Sequence, residues 1–236
     1  MPQIYLNDSY IKEIETKIIE IRTIKKKDAI VLEDNIFYPS GGGQLFDIGY
    51  IEISEERIKV LRTMKLDGKI YLCLENDISH KDATKVKAIL DWDKRYKYMR
   101  CHTAAHLLMS EINRNVENYA PDGIEILEDG KTVIVRFSGT WNKSIDTANK
   151  IIDNTNNKIK EGAVVYTETY LDSINIEEKY KNIYRGEKDL NEGARIVTIE
   201  NTDANPCGGT HLKDIKEIGE VKLIEFEEDE FKIEVI

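Results

Sequence analysis

DWDKRYKYMRCHTAAHLL, residues 91–108, is where the character of the chain changes. Upstream of it, "AIVLED", "YIEIS", "RIKVLRTM", "KIYLCLEN" and "TKVKAILDW" are short runs rich in β-branched residues, separated by glycine and aspartate. Asp67-Gly68 between two of these runs is a hairpin signature. Many short strands without a long helix predict a small β-barrel over residues 1–90. From Asp91 onward the period changes. Trp92, Tyr96, Met99, Ala105, Leu108, Ile112 and Val116 recur mostly three or four apart, which predicts a helix of several turns with Asp91 or Asp93 near its start. A strand pair around "GIEILEDGKTVIVRF" follows, then a second helix from about Ser144 to Glu161, with Ser144 as N-cap and Gly162 just past its end. "AVVYTETY", "ARIVTIE", "EVKLIEF" and "FKIEVI" return to strand patterns. The expected class is α+β: a barrel, then a domain over 91–236 with helices on a largely antiparallel sheet.

The totals are compatible with two modest domains. The chain has 236 residues, 41% hydrophobic and 33% charged, which reads as globular. The N-terminal segment lacks the basic cap and apolar run of a signal peptide, and no stretch approaches the roughly 18 apolar residues of a membrane span. Three cysteines without framework spacing read as free thiols of a cytoplasmic protein. Net charge is −10, yet Lys81–Ser110 holds seven basic residues against three acidic ones, while Glu217–Ile236 holds eight acidic against two lysines. The first segment is either a local patch for a polyanion or a solvated helix face.

Two motifs carry chemistry. His102 and His106 are four apart on the predicted helix, so both imidazoles project from one face. "PCGGTH", residues 206–211, adds Cys207 and His211 on a glycine-rich loop after a strand. Three imidazoles and a thiolate are ligands that zinc prefers, and Gly208 and Gly209 are expected to let the loop fold tightly around them. The residues between the helical histidines are Thr103, Ala104 and Ala105, without the glutamate of a zinc protease. Four protein ligands also close a tetrahedron, so the zinc is either structural or catalytic through a labile ligand or an expanded shell. Cys101 points away from this face and reads as packing.

"HTAAHLL" followed by "PCGGTHLKDIKEIG" resembles the editing domain of alanyl-tRNA synthetase and the free-standing AlaX alanyl-tRNA editing proteins. "FYPSGGGQLFDIG" is similar to the glycine-rich motif of the medium-length AlaX form, which carries a β-barrel before the editing domain. The resemblance covers nearly the whole chain. It implies a trans-editing hydrolase that deacylates mischarged alanine tRNA, chiefly seryl-tRNA(Ala), with the glycyl ester second. It implies one zinc ion on His102, His106, Cys207 and His211, and tRNA as partner; the sequence itself points to no membrane and shows no sign of an obligate protein partner.

The same resemblance gives Gly41, Gly42, Gly43 and Gln44 a role in tRNA or substrate selection. A tight turn between strands is the other reading of that motif. Thr103 and Thr210 flank ligands and are candidates to position water or substrate, or else to pack and brace. Lys94, Arg95, Lys97 and Arg100 are expected to meet tRNA phosphates, with Tyr96 or Tyr98 stacking on a base. The chain departs from the family at Ile215, often Thr, at Ser40, often Glu, and in "NYAPDG", where Ala120 and Pro121 stand in place of a hydroxyl or amide. A zinc-containing module that binds tRNA without chemistry, and a zinc hydrolase of another ester, are the alternatives.

Overall fold

The computed structural model describes residues 3–54, 56–78, 85–170, 179–180, 183–184 and 194–236. His80 and Lys81 lie outside the described residues. Two compact units divide the chain, Met1–Lys97 and Tyr98–Ile236.

Six strands build the first unit: β1 (Glu13–Ile24), β2 (Lys27–Leu32), β3 (Gly49–Ile53), β4 (Glu56–Leu66), β5 (Lys69–Leu74) and β6 (Lys85–Leu90). They close into an antiparallel barrel in the order β1-β2-β5-β4-β3-β6. Alternate residues point inward, so Ile30, Leu32, Ile51, Ile58, Val60 and Leu72 fill the interior. The opposite faces of β2 and β5 bury Ala29, Val31 and Tyr71 in a second, smaller cluster. The β4–β5 hairpin turns at Asp67-Gly68, with φ of 51° and 76°, as the dipeptide predicts. The β1–β2 hairpin achieves the same turn with Lys25 and Lys26, at φ of 49° and 67°.

The long helix α1 runs from Trp92 to Asn115. Asp91 caps it: its carboxylate accepts from the Lys94 amide at 3.1 Å. Every residue from Cys101 to Ile112 is buried, so this half of α1 has no wet face. That explains how five polar side chains, His102, Thr103, His106, Ser110 and Glu111, come to sit in an interior.

Two antiparallel sheets complete the second unit. One is ordered β12-β13-β8-β7, from β7 (Glu117–Ile126), β8 (Thr132–Thr140), β12 (Val221–Glu227) and β13 (Glu230–Val235). The other is ordered β11-β10-β9, from β9 (Val165–Tyr170), β10 (Ala194–Ile199) and β11 (Asp203–Pro206). Between β8 and β9, helix α2 (Ile145–Glu161) starts at Ser144, whose hydroxyl accepts from the Thr147 amide. Its apolar stripe, Ala148, Ile151, Ile152, Thr155 and Ile159, is buried and meets β12. No helix of the described residues is long and apolar enough to cross a membrane.

The α+β class and the barrel agree with the expectation from sequence. Two strands were absent from it, β1 and β11. In β1, Ile14, Ile18 and Ile21 fall at helix-like spacing, and of its residues only Thr16 is buried, so there is no clean alternation. The segment "NYAPDG" lies in β7, an edge strand with two bulges, where Ala120 and Pro121 are exposed.

Candidate metal centre

α1 and the loop after β11 bring four donors to one point. The ligand atoms of His102, His106, Cys207 and His211 all lie within 4.8 Å of one another. Cys207 Sγ is 3.6 Å from His102 Nε2 and 3.4 Å from His211 Nε2. The three histidines are almost fully buried, Cys207 is partly exposed and Gly208 beside it is exposed, so solvent reaches the cluster from the loop side.

Each of three ligands is held by a neighbour. Asp203, fully buried on β11, places Oδ2 3.2 Å from His106 Nδ1. That fixes the ring and leaves Nε2 for a cation, as a carboxylate behind a metal-bound histidine does. Thr103 Oγ1 lies 3.2 Å from His211 Nδ1 and accepts from the Leu212 amide at 3.1 Å. With Nδ1–H donating to the hydroxyl oxygen, His211 presents Nε2 in turn. Arg195 on β10 clamps the loop itself. Its guanidinium donates to the carbonyls of Cys207 at 2.7 Å and Gly209 at 3.0 Å, while the Cys207 amide donates to the Arg195 carbonyl.

The glycines of this loop play a different part from the one expected. Neither Gly208 nor Gly209 has a left-handed φ, and a Cβ on Gly208 would meet open space. The turn is tightened by the Gly209 amide, which donates to Cys207 Sγ at 3.3 Å.

Protonation follows from these contacts. Burial pushes the Cys207 thiol up, but the charges of His102 and His211 and hydrogen bonds from His102 and His106 outweigh it and hold the thiol well below its ordinary value. Burial, then the charge of His102, pushes His211 down to about 3 against the pull of Cys207. Both groups are thus in the states that bind a metal. Burial pulls His106 down too, yet the bonds to Asp203 and Cys207 prevail and raise it to about 9, so a cation must displace its proton. By contrast, burial pushes Cys101 up to about 12, and its thiol donates to the Gly130 carbonyl, which is packing, as the sequence suggested.

The other residues singled out from sequence fall in several places. Thr210 is fully buried in the ligand loop. Gly41–Gln44 form a two-residue turn closed by paired backbone bonds of 3.1 and 3.0 Å, with Gly42 and Gly43 at φ of 51° and 79°, where a side chain would be strained. Arg95 must be withdrawn from the phosphate-binding set. It is completely buried, paired with Asp47, and donates to the carbonyls of Ser9 at 3.0 Å and Ile36 at 2.7 Å. Arg100 is likewise engaged, donating to the carbonyls of Ile218 and Ile236. Tyr98 is buried and offers no face to a base. Lys94 is partly exposed and Lys97 exposed.

The comparisons with known proteins bear on the same residues. The domain family described as the threonyl and alanyl tRNA synthetase second additional domain matches residues 194–232, which include Cys207 and His211. Class II (A) tRNA synthetases match residues 9–94. The alanyl-tRNA editing protein AlaX-M of Pyrococcus horikoshii is 33% identical over 224 residues, which is 94% of this chain and 89% of that protein. The chain belongs to the AlaX family. AlaX-L of the same organism is 34% identical over 230 residues, and the alanine–tRNA ligase of Aeropyrum pernix 29% over 227. The chain spans about half of that AlaX protein (54%) and about a quarter of that ligase (24%).

Asp203 and Arg195 were not among the residues picked out from the sequence, because neither lies inside the HxxxH or CxxxH motif. Asp203→Ala is expected to weaken divalent-metal affinity by roughly 10–100-fold, since an outer partner of a ligating histidine is lost. Competition against a chromogenic chelator measures it; an unchanged affinity would contradict the role given to Asp203.

Proposed function

We propose that this chain hydrolyses the ester of mischarged alanine tRNA, chiefly seryl-tRNA(Ala), at a zinc ion held by His102, His106, Cys207 and His211. The observation that carries the proposal is the convergence of those four donors on one point, in a chain of the AlaX family. Three imidazoles and a thiolate are a donor set that suits zinc better than calcium or magnesium, which seek oxygen. Bound there, zinc supplies Lewis-acid polarisation of the ester carbonyl and a template for the attacking water.

The residues of the chain do the positioning. Asp203 and Thr103 fix the rings of His106 and His211, and Arg195 fixes the loop that carries Cys207. Buried histidines close the inner side of the cluster, so the ester enters from the exposed edge at Cys207 and Gly208. Thr103 and Thr210, both without exposed surface, act as positioning groups and leave substrate contact to the loop edge.

The test compares kcat/KM for seryl and alanyl esters on the same alanine tRNA. The proposal expects the seryl ester to be cleaved faster, and equal or absent cleavage of both would overturn it. A second reading, a zinc-containing tRNA-binding module without chemistry, draws support from the closed set of four ligands. It predicts tRNA binding with no deacylation of either ester.

A further inference from the structure

Several cations of the barrel unit are held in ion pairs. Lys17, Lys69 and Lys87 pair with Glu33, Glu20 and Glu13, and Arg22 and Arg57 pair with Asp67 and Glu52. These charges are neutralised within the unit. Beside the first turns of α1, cations cluster over aromatic rings; ring contacts also occur at the ion-paired Arg22 and Arg57, over Tyr71 and Tyr50. Lys12 Nζ is 4.6 Å from the centre of the Trp92 ring. Lys94 Nζ and Arg62 Cζ lie 5.3 and 5.4 Å from the centre of the Phe46 ring. Lys97 is exposed on the same helix. Among the described residues, Lys12, Arg62 and Lys97 have no carboxylate in an ion pair. Asp47, the carboxylate next to Phe46, is already occupied by Arg95.

The rings themselves are only partly covered. Trp92 and Tyr96, one helical turn apart, have centroids 5.6 Å apart at 33°, and both retain exposed surface, as does Phe46. Just before Phe46, the tip formed by Gly41 and Gly42 exposes backbone with no side chain to obstruct an approaching strand.

We propose that this face of the barrel unit is an RNA-docking surface, and that it takes the tRNA whose ester the chain cleaves. Phosphates would meet Lys12, Arg62, Lys94 and Lys97, while an unpaired base stacks on the Trp92–Tyr96 ridge and displaces Lys12 from the ring. Cations interleaved with half-exposed rings are what a single-stranded nucleic acid segment recognises. An acidic protein would satisfy the cations but leave the rings without a planar partner. The inference rests on the tRNA-editing reading above, and it moves the expected contact from the whole Lys94–Arg100 stretch to the start of α1 and the loop carrying Phe46.

The chain has two tryptophans, so Trp141→Phe leaves Trp92 as the sole indole reporter. The full-length Trp141→Phe protein is titrated with uncharged alanine tRNA at low salt. Saturable quenching of Trp92 emission, with the same midpoint as filter binding, is expected. In the wild-type background, Lys12→Ala/Arg62→Ala/Lys97→Ala should lower the log–log salt slope of tRNA binding by about 2, at ~0.7–0.9 per lost phosphate contact. tRNA binding without any change in Trp92 emission, or a wild-type slope in the triple variant, overturns the surface. So does polyglutamate competing as well as tRNA at equal charge. Uncharged tRNA carries no ester, so the outcomes separate. Quenching by a protein that fails to deacylate keeps this surface and overturns the catalytic reading. Deacylation without quenching does the reverse.

Discussion

Cys207→Ala and His106→Ala should lose bound metal and the proposed seryl-tRNA(Ala) deacylation together. Each removes one of four donors that the fold gathers within 4.8 Å, and neither substitution supplies another. The loss in metal affinity should exceed the roughly 10–100-fold expected for an outer partner such as Asp203. Deacylation should fall to the rate without protein. The two variants also fail differently inside the site. Cys207→Ala takes away the thiolate that the imidazoles of His102 and His211 stabilise. His106→Ala leaves the Asp203 carboxylate buried without its imidazole, so some loss of stability accompanies the loss of metal. Metal analysis of the purified variants and a deacylation time course check this. Full occupancy in both variants would falsify the ligand assignment.

Asp47→Ala should destabilise the protein by about 3–5 kcal/mol, because it leaves the buried Arg95 guanidinium uncompensated. Asp47 carries more than the ion pair. It accepts from the Tyr38 amide at 2.6 Å, and its carbonyl accepts from the Thr63 hydroxyl at 2.8 Å. The pair therefore ties the loop that follows the glycine-rich turn to the first turn of α1. Replacing both partners with apolar residues, as in Asp47→Ala/Arg95→Met, should recover much of the loss, since no buried charge is then left unpaired. Urea unfolding of the single and double variants measures the difference. A single variant within about 1 kcal/mol of wild type would show that water reaches the guanidinium and that the pair is not sealed as its burial indicates.

What the sequence made legible was local or compositional. The four ligands stood out because their residue types are scarce and grouped, three of only four histidines falling in two short motifs. The β4–β5 hairpin was legible because Asp67-Gly68 is cheap at positive φ, whereas Lys25-Lys26 takes the same turn against its propensity, so the strand before it went unseen. Asp203 and Arg195 act across strands. Their partners are 97 and 12 to 14 residues away, and only pairing of β9, β10 and β11 brings them to the loop. Arg95 misled for a related reason. A basic residue in a run of basic residues looks solvated, and only the distant Asp47 shows that it belongs to the interior of the barrel unit. The spacing of apolar residues made α1 legible as a helix, but it gave no sign that the half from Cys101 to Ile112 is buried all round.

The proposed deacylation requires a metal at the four-donor cluster. Metal-depleted wild-type protein, titrated with zinc while seryl-tRNA(Ala) hydrolysis is followed, tests it directly. Activity should be absent at the start, rise in proportion to added zinc and level off at about one equivalent per chain, as a single four-ligand site requires. Full activity in the metal-free protein, unmoved by zinc, would contradict it.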